Sequence, residues 1–229
     1  MTKKIIILLA LLTFPSVFYV ILTTGKTNFI HLNYFGEKKL APNGKDTIHH
    51  SVQPFKLVNE NGDTITNKNY DGKIYVVHYF YTSCNTIPSK KVIAEMLRVQ
   101  EKFMYTFENV KLLSVSMKPS EDSVGALMAF SKMVHADGKM WNFATGDKKQ
   151  IYDLARTGYL LNANETEDFV QSERLVLVDK EKHIRGYYDA NNIKEINNLL
   201  DDIKVLIAEY FISDGAIKDK QEKQTKKNE

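Results

Sequence analysis

The residues with the clearest chemical potential are one cysteine and one histidine that lie just before a predicted helix. Cys84 is the single cysteine of the 229-residue chain, so an internal disulfide and a zinc site with two thiolates are both excluded. A helix N-terminus favours a thiolate through its free N–H groups and its dipole. Cys84 is therefore a candidate reactive thiol and a candidate metal ligand.

His78 lies six residues before Cys84 and is a candidate modulator of that thiol. An imidazole beneath the loop that carries Cys84 would lower the pKa of the thiol by pairing with the thiolate. The alternative is a buried histidine that is satisfied by backbone groups. A thiol titration of the natural chain and of His78→Ala distinguishes the two, because only the first alternative predicts a change in the Cys84 pKa.

Strands that alternate with helices are predicted to position these two residues. Residues 74–81 are rich in β-branched and aromatic side chains, which is typical of a buried central strand. A loop at 82–87 then leads into a helix that Pro88 opens and that ends near residue 108. Further strands are predicted at 55–58, 110–117, 141–143, 174–178 and 184–188, and further helices at 122–134, 148–156 and 193–211. This order predicts an α/β fold with a thioredoxin-like mixed sheet, flanked by helices and closed by an antiparallel hairpin.

The two ends of the chain differ in composition from its middle. Lys3 and Lys4 precede eighteen apolar-dominated residues at 5–22, which would form about 27 Å of helix and predict one N-terminal transmembrane helix. A cleaved signal peptide is the alternative, but residues 20–25 make a poor cleavage site. We therefore predict four segments: a membrane anchor at 1–25, a tether at 26–53, a thioredoxin-like domain at 54–212 and a charged disordered tail at 213–229.

The charge of the chain bears on partners and on location. With 31 basic and 28 acidic residues, the formal net charge of +3 does not indicate a nucleic-acid partner. Lysines ahead of the apolar run keep the N-terminus in the cytoplasm. We expect a single-pass protein of the inner (cytoplasmic) membrane, with its N-terminus inside and its domain on the periplasmic side.

Two segments of the chain resemble the Sco/SenC family of membrane-anchored, thioredoxin-like copper chaperones. They are residues 72–87 (GKIYVVHYFYTSCNTI) and 169–179 (FVQSERLVLVD), the second followed by IRGYYD at 184–189. The resemblance implies a protein that delivers copper to, or reduces thiols in, the copper centre of cytochrome oxidase. It also implies a copper site made by a Cys-x-x-x-Cys motif and a distant His, and partners among respiratory oxidase subunits or other copper and thiol assembly factors.

Compared position by position, the chain keeps one of the three family ligands. Cys84 matches the first cysteine of the motif, Pro88 stands at the second, and Gln171 stands at the histidine. Proline offers no side-chain donor, and a glutamine amide is a poor ligand for the soft Cu(I) ion that thiolates select. The resemblance therefore implies a degenerate copper site in which Cys84 is the single retained ligand position.

Three functions remain as hypotheses from the sequence. The first is a Sco/SenC-like protein of copper handling and cytochrome c oxidase assembly, with weakened or lost copper binding. The second is a monothiol redox protein that acts through a mixed disulfide of Cys84 with a partner. The third is a non-catalytic assembly or interaction module. Only the second involves enzyme-like chemistry, namely thiol–disulfide exchange.

Overall fold

The structure is a computed structural model. It describes residues 31–228 except Asn43, Lys45, Cys84, Asn85, Asp168, Gln171 and Ser172, and it describes Lys3, Thr13, Phe14 and Tyr19, which are helical. Only the backbone is described for Pro88, Phe169 and residues 212–228. The chain divides into two units, Met1–Ile30 and His31–Glu229. Apart from three of its residues, the predicted transmembrane helix at 5–22 lies outside the described residues. Within the part of the chain that is described, no helix is long and apolar enough to cross a bilayer.

The second unit is built around a mixed sheet. The strands of this unit are β1 (Lys38–Leu40), β2 (Thr47–His49), β3 (Lys56–Asn59), β4 (Thr64–Thr66), β5 (Ile74–Phe80), β6 (Val110–Ser116), β7 (Trp141–Thr145), β8 (Ala163–Asn164), β9 (Phe169–Val170), β10 (Arg174–Val178) and β11 (Ile184–Asp189). Two short pairs, β1 with β2 and β8 with β9, lie outside the main sheet. The main sheet has the order β11-β10-β5-β6-β7-β3-β4. Strands β5, β6 and β7 are parallel to one another, whereas β10 and β11 form an antiparallel hairpin beside β5. The predicted thioredoxin-like mixed sheet, closed by a hairpin, is confirmed.

Among the described residues, four α-helices flank this sheet. They are α1 (Ile87–Phe103), α2 (Val124–Met133), α3 (Lys148–Asp153), which continues into a π-helical turn (Leu154–Gly158), and α4 (Ile193–Asn228). The end of the last helix, predicted near Phe211, is wrong, because α4 continues to Asn228. The assignment of 213–229 as a separate tail stays a prediction.

Strand β5 is buried on both faces, as its composition predicts. All seven of its residues are buried, which is the pattern of a central strand with helices on both sides. On one face Val76 and Phe80 share a core with apolar residues of α1, α2 and α4. On the other face Tyr75 and Tyr79 pack with residues of α3. The C-terminal end of β5 is therefore held rigidly just before Cys84.

Residues 31–53, most of the predicted tether, are hydrogen-bonded to the edge of the sheet. The backbone N–H of Phe35 donates to the carbonyl of Ile184 over 3.0 Å, and that of Val52 donates to Lys182 over 2.9 Å. The His50 ring nitrogen Nε2 lies 2.8 Å from the carbonyl oxygen of Gly158. This segment therefore packs on β11 and on the π-helical turn, while the predicted domain boundaries stay predictions.

Candidate functional site

The loop that carries Cys84 begins at a buried carboxylate. Asp122, in the segment after β6, is fully buried. It accepts hydrogen bonds from the backbone N–H of Thr82 at 3.2 Å and from the hydroxyls of Thr82 and Ser116. Parallel strands β5 and β6 end at the same edge of the sheet, which brings these groups together. The first residues after β5 are therefore fixed by a side chain 40 positions away in the sequence.

The sequence predicts Asp122 only as the first residue of the helix at 122–134 and gives no sign of this role. Helix α2 begins at Val124, and Ser123 is its cap, accepting a hydrogen bond from the N–H of Ala126. A lone aspartate before a helix looks like a cap in the sequence, so the pattern gives no separate signal for a carboxylate that faces a distant loop. Asp122 is a positioning residue of the candidate site.

We expect Asp122→Ala to loosen the start of the loop. Each buried donor left without an acceptor costs about 1–3 kcal/mol, so the free energy of unfolding should fall and the Thr82 amide should exchange its hydrogen faster. Urea unfolding and hydrogen exchange measure the two effects. The matched control is Glu121→Ala, which removes a half-exposed neighbour and should change stability by no more than about 0.5 kcal/mol. Equal effects of the two substitutions would contradict the role of Asp122.

Helix α1 begins next to the predicted thiol. Thr86 is its N-terminal cap and accepts a hydrogen bond from the N–H of Ser89 at 3.4 Å. The helix starts at Ile87, one residue before the predicted start, and Pro88 lies in its first turn. Cys84 therefore lies, in sequence, between the end of β5 and the cap of α1, which is the placement that the thiol prediction requires.

The segment before β10 reaches the same edge of the sheet. Strand β10 runs antiparallel to β5 with Val176 opposite Val77, so it begins where β5 ends. Glu173, just before β10, lines one cavity together with Thr82 and Ser89. Described residues on both sides of Cys84 and one residue two positions after Gln171 therefore line the same cavity. The two residues themselves lie outside the described residues, and the roles of Cys84, Pro88 and Gln171 stay predictions.

His78, which lies on β5, lines the same cavity. Its side chain is buried, and its ring nitrogen Nδ1 lies 3.1 Å from the hydroxyl of Ser114, which also accepts from Trp141 Nε1–H at 2.7 Å. The other ring nitrogen, Nε2, has no hydrogen-bond partner among the described residues. Burial lowers the pKa of His78 to about 3, so the ring is neutral at pH 7. Its predicted effect on Cys84 would therefore involve a neutral N–H or lone pair rather than a cation.

The depressed pKa of His78 predicts a loss of stability in acid. Below about pH 6.5 the unfolded chain binds a proton at this ring while the folded chain does not, until the pH approaches about 3. Across that range the histidine should reduce the free energy of unfolding by about 1.4 kcal/mol per pH unit. The measurement is urea unfolding at pH 7 and pH 5 for the natural chain and for His78→Leu. The natural chain should lose about 2 kcal/mol more than the variant between these pH values, and parallel losses would contradict the prediction.

His49 and His50 make contacts away from the cavity that His78 lines. The ring of His49 stacks on Tyr34 with a centroid distance of 4.0 Å, and His50 is bonded to Gly158. Neither lines the cavity beside β5. In the described part of the chain, no group of three or more His, Cys, Asp or Glu side chains is arranged to hold a metal ion. The described donors alone therefore do not fit a three-ligand copper site.

Comparison with known proteins agrees with this fold. Residues 43–208 match the SCO1/SenC family model. The chain belongs to the SCO1/SenC family. A SCO1 protein homolog of Bacillus subtilis (strain 168) is 24% identical over 165 residues, which covers 70% of this chain and 84% of that protein.

Solved structures of SCO1/SenC proteins share the fold. BsSco, described as a member of the Sco family of cytochrome c oxidase assembly proteins and as having a disulfide switch, superposes with a TM-score of 0.60 at 21% identity, covering 69% of this chain and 93% of that one. Arabidopsis thaliana ScoI with copper bound superposes with a TM-score of 0.56 at 22% identity, covering 67% and 98%. At these identities the likeness establishes the thioredoxin-like fold.

Proposed function

We propose that this SCO1/SenC protein acts in copper handling and in assembly of cytochrome c oxidase, with a copper site weakened by the loss of two ligands. Family membership and the description of BsSco as an oxidase assembly protein support the process. The observation that carries the weakened site is the sequence itself, in which Pro88 and Gln171 stand at the second and third ligand positions. Cys84 is the retained ligand, and it binds copper weakly or only together with a donor from a partner.

The same proposal includes a membrane location. Lysines followed by the apolar run at 5–22 support a single-pass anchor in the inner (cytoplasmic) membrane, with the thioredoxin-like unit on the periplasmic side. This location would put the unit beside its partner, an oxidase subunit or another copper or thiol assembly factor. Protease added to intact spheroplasts should digest the unit but not residues before the anchor. Protection of the whole chain would contradict the orientation.

A monothiol redox function is the second candidate, and the position of Cys84 before the capped N-terminus of α1 favours it. A disulfide switch of the kind described for BsSco cannot form within this chain, because it has one cysteine. The redox step would be attack of the Cys84 thiolate on a partner disulfide. The Cys84–partner disulfide forms, the old disulfide breaks, and the partner's other sulfur leaves as a thiolate.

Native mass spectrometry of the full chain in detergent with Cu(I), under reducing conditions, separates these functions. The proposal predicts substoichiometric copper on the natural chain, lost in Cys84→Ser, and more copper when an oxidase copper-site fragment is added. In a second sample without reductant, rapid formation of a mixed disulfide between Cys84 and a disulfide probe, together with no copper binding in the first sample, would favour the redox candidate. If neither copper binding nor a mixed disulfide is observed, an assembly module without chemistry is favoured. Either a mixed disulfide without copper binding or the absence of both would overturn the copper proposal.

A further inference from the structure

Residues 34–49 form a flap that lies on β11 between two fixed ends. On one side the carbonyl of Leu32 accepts a hydrogen bond from Arg185 over 2.9 Å, and on the other side Val52 is buried in the core. None of the described residues of the flap is buried, although the N–H of Phe35 donates a hydrogen bond to β11. A segment without buried residues can open locally while the sheet stays folded.

A stack of three side chains fastens the flap to β11. The rings of Tyr34 and His49 are parallel to within 18°, and their centroids lie 4.0 Å apart. The guanidinium carbon of Arg185 lies over the Tyr34 ring, 4.2 Å from its centroid. Since His49 covers one face of this ring, Arg185 occupies the other face. Tyr34 and His49 belong to the flap and Arg185 belongs to β11, so the stack holds the flap on the sheet.

One ring nitrogen of His49 determines how this stack responds to acid. His49 Nδ1 is buried and has no hydrogen-bond partner among the described residues. The neutral ring therefore avoids an unpaired donor when Nδ1 carries the lone pair and Nε2 carries the proton. A second proton has to bind at Nδ1, where the buried N–H finds no acceptor until the flap lifts and water reaches it. His49 therefore takes up a proton more readily in the open flap than in the closed one.

The charges around His49 act in the same direction. Lys38 lies directly opposite His49 in the β1–β2 pair, and like charges at such positions destabilise a strand pair. The His183 ring lies 6.0 Å away between centroids, and Arg185 is the cation of the stack. Asp179 has the opposite influence, but its carboxylate already lies 3.0 Å from Arg185. Burial, and after it these cationic neighbours, lower the pKa of His49 below its usual value.

We propose that the flap is acid-sensitive: the neutral stack of His49, Tyr34 and Arg185 holds it closed, and protonation of His49 releases it from β11. In the open flap His49 is in water, where the pKa of a histidine is about 6.5. Because the open flap binds the proton more readily than the closed flap, opening is favoured as the pH falls below about 6.5, by at most about tenfold per pH unit for one proton. Release uncovers the Ile184 carbonyl of β11. The flap requires neither copper nor Cys84, so its failure and the failure of the proposed copper function are separate results.

Amide hydrogen exchange of the full chain in detergent, followed by NMR at pH 7 and pH 5, tests this device. The N–H of Phe35 donates from the flap to the Ile184 carbonyl over 3.0 Å, so its protection, corrected for the intrinsic exchange rate at each pH, measures flap opening. The N–H of Val52 donates from the fixed end and measures opening of that end. We expect a larger opening constant at Phe35 than at Val52, and a severalfold rise at Phe35 from pH 7 to pH 5. An opening constant at Phe35 that equals that at Val52, or that does not change with pH, would overturn the proposal.

Two variants assign the response to His49. His49→Phe keeps an aromatic ring beside Tyr34 but takes up no proton, so its opening constant should be the same at both pH values. His49→Gln also takes up no proton, so its opening constant should be independent of pH although loss of the stack raises it. The matched control is His135→Asn, which removes an exposed histidine outside the flap, at a positive φ of 56° that asparagine tolerates, and should keep the natural response. A rise in either His49 variant equal to that of the natural chain, or loss of the rise in His135→Asn, would overturn the role of His49.

Discussion

Replacing Pro88 with Cys and Gln171 with His in one chain is expected to convert weak Cu(I) binding into tight, stoichiometric binding. The double variant supplies a second thiolate and an imidazole at the positions that the family resemblance assigns to ligands, and both donors suit copper, the thiolate especially as Cu(I). Linking further donors to one site raises affinity by about 10²- to 10⁴-fold through effective concentration. Position 88 lies in the first turn of α1, where Thr86 caps the helix, so the fold does not need the proline there.

Competition with a chromophoric Cu(I) chelator under reducing conditions measures this gain. The matched control carries Pro88→Ser with Gln171→His, which differs from the test variant by one sulfur atom in place of one oxygen. It should bind copper much more weakly than the Cys-containing variant. If both variants compete for copper no better than the natural chain, positions 88 and 171 are not the ligand positions, and the interpretation of the site as degenerate is wrong.

Arg185→Leu is expected to lower the free energy of unfolding by about 3–5 kcal/mol, because it leaves buried carboxylates without their cation. Arg185 on β11 is buried and lies 3.0 Å from Asp179 and 3.2 Å from Glu209 of α4. It also donates to the carbonyl of Leu32 over 2.9 Å. One guanidinium therefore joins the β10–β11 turn, the last helix and the segment before β1.

Urea unfolding at pH 7 gives this loss directly. The matched control is Lys204→Leu on α4, which removes a half-exposed partner of Asp201 and should cost no more than about 1 kcal/mol. A loss for Arg185→Leu as small as that of the control would mean that Asp179 and Glu209 find other partners. Both carboxylates also accept from backbone N–H groups, Asp179 from those of Glu181 and His183 and Glu209 from that of Leu32, so the loss is expected to be shared between them.

The sequence predicts best those elements whose pattern is local. The run at 74–81 predicts β5 because β-branched and aromatic residues on both faces suit only a buried strand, and the observed strand spans Ile74–Phe80. The start of α1 follows from Pro88, and the hairpin β10–β11 follows from two short apolar runs with a turn between them. The parallel order of β5, β6 and β7 follows from the alternation of strands and helices.

Contacts between distant residues could not be predicted in the same way. Asp122 reaches Thr82, and Arg185 reaches Leu32, over separations of 40 and 153 positions, and neither pair has a local pattern. The burial of His78 could be anticipated, but its partner is the Ser114 hydroxyl on the next strand rather than a backbone group. The packing of 31–53 gives little signal either, because β1 and β2 are short and largely exposed.

The contact of residues 31–53 with β11 has a consequence for solubility. Strand β11 is one of the two outer strands of the sheet, and an outer strand with bare N–H and C=O groups recruits strands from other molecules. The N–H of Phe35 donates to the carbonyl of Ile184 on β11, and the N–H of Val52 donates to the carbonyl of Lys182 in the turn before β11. A fragment that begins at Pro54, where the composition suggests that the domain starts, therefore frees the Ile184 carbonyl at this edge, and we expect it to aggregate more readily than a fragment that begins at His31 and keeps that carbonyl hydrogen-bonded.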